Sequence, residues 1–138
     1  MKQLLESFPH TDFYVSEPAV REAVASFGKF NIIHPESGLK VDVVIAKSSE
    51  FDRTRLRRRI RAHPGGTDFE AYFASPEDVI LKKMEYYCEG GSDKHLRDIA
   101  GILKIRGPEI DRSYISAWAQ RIGVSEIWEL ISTQVGPT

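Results

Sequence analysis

Two groups of residues in this chain of 138 have types and spacing that could do chemistry. The first centres on Asp42, in the run Gly38-Leu39-Lys40-Val41-Asp42-Val43-Val44-Ile45-Ala46-Lys47. β-Branched residues dominate the run and predict a strand. Successive side chains alternate, so Leu39, Val41, Val43 and Ile45 share an apolar face. Lys40, Asp42, Val44 and Ala46 share the other, apolar at its far end. The pattern predicts a largely buried strand, and an ionised carboxylate there is costly unless paired, hydrated or bound to a cation. An ion pair with a nearby Lys or Arg at a sheet edge is the preferred reading, ahead of a metal-binding role.

The second group is the cationic run Arg53, Arg55, Arg57, Arg58, Arg59 and Arg61, followed by His63. Guanidinium groups suit phosphate oxygens, so Arg55, Arg58 and Arg59 are candidates for a phosphate or RNA contact. No aromatic residue interrupts Arg53 to Arg61, which weakens single-strand binding. A solvated helix face is preferred. Changing Arg55, Arg58 and Arg59 together to Gln should then alter stability little. Lys82, Lys83, Asp93, Arg97 and Asp98 fall on two consecutive predicted helices, and a Lys83–Asp98 ion pair between them is expected.

His10, His34, His63 and His95 lack a ligand spacing such as His-x-x-x-His. With Cys88 the sole cysteine, this argues against zinc and excludes an internal disulfide. Cys88 is expected on a helix core face as inert packing. Neither a Gly-x-Ser-x-Gly elbow nor a phosphate-binding glycine loop occurs, and Gly65-Gly66 and Gly90-Gly91 read as turns.

The elements that must position these groups follow in order. A short helix is predicted over Lys2–Phe8, then strand-like Phe13–Val15. A helix capped by Ser16 carries Val20, Ala23, Val24 and Phe27 inward and stops at Gly28. Phe30–His34 and Leu39–Lys47 form an antiparallel hairpin through Pro35–Gly38. A basic helix is predicted over Phe51–Arg61 and a third strand over Phe69–Ala74. Ser75-Pro76-Glu77-Asp78 starts a helix, with a Ser cap, Pro at the first position and acids in the first turn. Further helices follow caps at Ser92-Asp93, Asp111 and Ser125, and the tail Val135–Thr138 should fray. The reading is α+β: a small, mostly antiparallel sheet, then a helical C-terminal half. A single domain over 1–138 is expected, with a sheet-containing half over 1–74 and a helical half over 75–135.

Hydrophobic content of 41% and charged content of 28% fit an ordinary globular domain. The net charge of −1 argues against a wholesale nucleic-acid binder. Met1–Glu6 carries no long apolar run of a signal peptide, and no window reaches membrane-span length. A bacterial-type cytoplasmic protein without membrane association is expected.

From Phe13 to about Ile131 the chain resembles the nucleotidyltransferase-fold superfamily, in its small abortive-infection-toxin-like, uncharacterised branch. The resemblance rests on Phe30–His34 with Gly38–Val44, on Phe51-Asp52-Arg53 leading the arginine run, on Ala74–Met84 and on Lys94–Ile99. It implies that Asp42 matches the third metal-binding carboxylate, and Lys83 the lysine of the helix after the sheet. It covers the family's C-terminal two thirds only. The family's glycine turn and Asp-x-Asp pair, upstream of the Asp42 match, have no counterpart in Met1–Asp12. One carboxylate cannot hold two metal ions, so Asp42 serves as a metal ligand only if other carboxylates complete the site. Three functions follow as expectations. The first is a non-catalytic nucleotidyltransferase-like domain, without cofactor, acting by association with itself or a protein partner. The second is a nucleotidyltransferase completed, with Mg, by a partner chain or upstream coding sequence. The third is an RNA- or nucleotide-binding module using the arginine helix. The incomplete sheet leaves a bare edge and apolar face, and a two-fold homodimer is the simplest cover.

Overall fold

The computed structural model describes residues 1–135; of the tail expected to fray, Val135 is helical and residues 136–138 lie outside the described residues. The fold is α+β, with seven α-helices and two separate two-stranded antiparallel sheets among those residues. The chain forms two compact units, one of residues 1–48 and one beginning at Ser49.

The first unit contains α1 (Lys2–Ser7), α2 (Glu17–Ser26), β1 (Lys29–His34) and β2 (Leu39–Val44). Ser16 caps α2 as expected, its Oγ accepting the Ala19 N–H at 3.3 Å. The helix ends one residue before its predicted glycine: Phe27 takes the left-handed conformation, and the Gly28 N–H bonds the Ala23 carbonyl. Val24 and Phe27 are exposed rather than inward. Gly38, at a φ of +73°, closes the turn from β1 into β2. The register pairs Lys29 with Val44, Asn31 with Asp42, Ile32 with Val41 and His34 with Leu39. Phe30 and Ile32 form the unit's core with Val15, Val20 and Ala23; Val43 and Ile45 pack against it half-buried. The core does not reach the hairpin end of β2, where Leu39 is 69% and Val41 58% exposed. The prediction of a largely buried strand is therefore wrong: β2 is covered only near its C-terminal end.

The second unit holds α3 (Glu50–Arg57), β3 (Ile60–Ala62), β4 (Ala71–Phe73), α4 (Pro76–Gly90), α5 (Asp93–Arg106), α6 (Arg112–Ile122) and α7 (Ser125–Val135). The basic helix stops four residues before its predicted end at Arg61 because Ile60–Ala62 pairs with Ala71–Phe73. Ser75 and Asp111 cap α4 and α6 through their side chains. Ser92 makes no side-chain cap bond, and Ser125 opens α7 as its first residue. Ile80, Leu81, Met84, Ile99, Leu103, Ile115 and Ala119 are fully enclosed, with Phe51, Trp118 and Trp128 buried in the same core. Fully burying each aliphatic side chain contributes about 1.5–3 kcal/mol, so this core holds the helices around the charged groups described next. Cys88 corrects its expected place: it lies one turn beyond Met84, in the last turn of α4, and is exposed.

Candidate functional site

Asp42 sits on the exposed face of β2, and its side chain is 45% exposed. Its carboxylate accepts a hydrogen bond from the Asn31 amide across the strand pair. Lys40, two residues along the same face, places its ammonium 3.9 Å away. This is the expected ion pair with a neighbouring lysine, made on an open face rather than in a core. Among the described residues no three His, Cys, Asp or Glu side chains come close enough to hold a metal ion.

The free edge beside Asp42 has a definite chemical pattern. Among the described residues β2 pairs only with β1. The Ile45 N–H bonds the Gly28 carbonyl, and on β1 Ile33 exchanges both backbone bonds with Tyr14 on the far side from β2. Alternation in an antiparallel ladder then points the backbone groups of Leu39, Val41 and Val43 at β1. Those of Lys40, Asp42 and Val44 point outward. An unpaired edge with outward donors and acceptors, flanked by Leu39 and Val41, is a template for another strand.

Lys83 belongs to the second unit. Its ammonium meets the Asp98 carboxylate at 2.9 Å, as expected of α4 and α5 side by side. The Lys83 hydrogen bond holds the Asp98 carboxyl below its ordinary range. The pair lies in an open groove of about 1140 Å³ whose apolar wall includes Ile60, Phe73 and Ile105.

The three candidate arginines separate. Arg55 is not solvated: its Nε bonds Asp52 at 2.5 Å, and its side chain is 18% exposed. Arg58 bonds Asp78 Oδ2 at 3.1 Å and Glu77 at 3.2 Å, and stands 3.8 Å over the Tyr114 ring. Both are held by carboxylates, which corrects the expectation that they line a solvated helix face. Arg59 alone fits it: exposed, it lies 4.5 Å over the Tyr72 ring, with Arg61 at 5.9 Å from the same ring. The chain does bring aromatics to the arginines, although none is interleaved in the run.

The groups that hold these arginines, Asp52 and Asp78, read in the sequence only as first-turn acids. They are 2% and 1% exposed. Asp78 accepts from Tyr114 Oη at 2.6 Å, from Ser75 Oγ at 2.8 Å and from Arg58. Burial alone would raise the Asp52 carboxyl; the Arg55 hydrogen bond and the Lys82 ammonium at 3.5 Å outweigh it and hold it below its ordinary value. Burial and the bond to Asp78 push the Tyr114 phenol upward. Each of these polar groups is satisfied by a partner within the unit, so the network fixes α3, α4 and α6 against one another. The spacing of Asp52 to Arg55 and of Ser75 to Asp78, three residues apart on a helix turn, was the available clue.

No family model matches the chain, and neither a curated protein nor a solved structure does.

Proposed function

We propose that the chain is a non-catalytic, nucleotidyltransferase-like domain that works by associating with a second copy of itself, the first unit supplying the contact. The observation that carries this reading is the open edge of β2 beside exposed Leu39 and Val41. Large side chains left open on a short two-stranded sheet gain about 25 cal/mol per Å² when covered. A two-stranded hairpin gains further when strands are added to it. Light scattering on eluting full-length chain tests this. The expected mass is that of two 15.6 kDa chains at micromolar concentration, falling towards one on dilution or in Val41→Lys. A mass of one chain at every concentration refutes it.

A second reading has its own support. Arg59 and Arg61 over exposed Tyr72 combine cations with an aromatic face, the chemistry that binds single-stranded RNA. Salt-sensitive retention on an RNA column, lost in Arg59→Gln with Tyr72→Ala, would favour it. The two tests read different surfaces.

A further inference from the structure

Resting on the reading of a self-associating domain, we propose the contact itself: β2 of two chains pair antiparallel about a two-fold axis at Val41, joining two hairpins into a four-stranded sheet. Three observations select this arrangement.

The backbone restricts the register. Lys40, Asp42 and Val44 point their N–H and C=O groups outward, so only outward-pointing residues can face one another as hydrogen-bonded pairs. A two-fold axis must then pass through a residue, not between two.

Of the possible axes, only the one at Val41 sets the two opposite charges of the edge against each other. An axis at Lys40 sets Lys40 against its own copy, and an axis at Asp42 does the same to Asp42. Like charges directly opposite each other destabilise a strand pair. An axis at Val41 sets Lys40 opposite Asp42 of the second copy, and Asp42 opposite Lys40 of the second copy. Both are outward-pointing, so each such pair makes its backbone bonds and an ion pair together. The intrachain approach of Lys40 to Asp42 is long, at 3.9 Å, which leaves the ammonium able to serve a closer carboxylate.

The apolar face agrees with the same axis. Val41 meets its own copy and Leu39 meets Val43 of the second copy, all on the face that carries Phe30 and Ile32. The exposed Leu39 and Val41 thereby each gain an apolar cross-strand neighbour, and the apolar layer runs on across the axis. A self-complementary strip of this kind is what a two-fold contact requires.

The test is site-directed disulfide formation in the full-length chain, with exposed Cys88 changed to Ser, read beside light scattering. Val41 and its copy would form a non-hydrogen-bonded pair with Cα atoms about 4.5 Å apart, within disulfide reach. Val41→Cys is expected to give a covalent dimer under mild oxidation, while Asp42→Cys, facing Lys40, stays uncrosslinked. A dimeric mass in which Val41→Cys fails to crosslink, or Asp42→Cys crosslinks as readily, overturns this register and leaves the association reading standing. A monomeric mass for the unmodified chain overturns both.

Discussion

Tyr114 donates its phenolic hydrogen to Asp78 at 2.6 Å, across 36 residues of chain, while Arg58 caps the Tyr114 ring and bonds the other oxygen of the same carboxylate. This one contact ties the start of α4 to α6 and to the residue that ends α3. It makes Arg58 a structural residue. The expected unfolding free energies, read by urea denaturation, therefore differ sharply between neighbours. Arg58→Gln takes the cation from a buried carboxylate that keeps its two hydroxyl donors, and should cost about 1.5–3 kcal/mol. Tyr114→Phe keeps the ring and loses the bond, at about 1–2 kcal/mol. Arg59→Gln should stay within about 0.5 kcal/mol. Equal, small effects for Arg58 and Arg59 would contradict the network.

The pH dependence has two signs. Asp52 is held below its ordinary value in the folded chain, so its contribution is present above about pH 4, the unfolded value. That contribution is lost as the pH falls through the folded value, and Asp52→Asn should flatten the acid limb of stability against pH. Tyr114 is shifted upward, so its contribution is full below about pH 10 and is lost as the pH rises towards the folded value. Tyr114→Phe should flatten the alkaline limb and leave the acid one alone. Denaturant midpoints measured across pH separate the two, and an unchanged alkaline limb in Tyr114→Phe would contradict the assignment.

Local signals were the legible ones. The caps Ser16, Ser75 and Asp111 work through their own side chains within one turn, and the β1–β2 hairpin announces itself by alternation and Gly38. Ile60–Ala62 was hidden because its strand conformation comes from pairing with Ala71–Phe73, while the arginines before it suit a helix. Alternation along β2 tells which side chains share a face but not how far the core extends over it, which is why the pattern alone suggests an interior place for Asp42 that the structure does not give it. Arg55 and Arg58 looked free because their partners, Asp52 and Asp78, resemble ordinary first-turn acids. Whether such an acid turns inward depends on the helix packed above it.

The chain by itself is expected to transfer no nucleotide. Asp42 contributes one carboxylate, engaged by Asn31 and near Lys40, and a two-metal phosphoryl transfer needs several. Incubation with labelled nucleoside triphosphates, magnesium or manganese, and RNA or protein acceptors should leave the label unincorporated. Incorporation that vanishes in Asp42→Asn would contradict this.

Exchanging the charges on β2 should reveal their pairing across the axis. Lys40→Asp alone, or Asp42→Lys alone, sets like charges opposite each other and should weaken the proposed dimer. The two together restore opposite charges and should recover much of its affinity, as read by sedimentation equilibrium in low salt. A double variant no tighter than either single one would show that these residues do not face each other.

Occupation of the β2 edge by a second β2, as proposed, is read directly by backbone amide exchange. The N–H groups of Lys40 and Asp42 point away from β1. Slow exchange is expected at both amides at high protein concentration, accelerating on dilution and in Val41→Lys. Fast exchange at Lys40 and Asp42 at every concentration, with Val41 and Val43 still protected by β1, would contradict it.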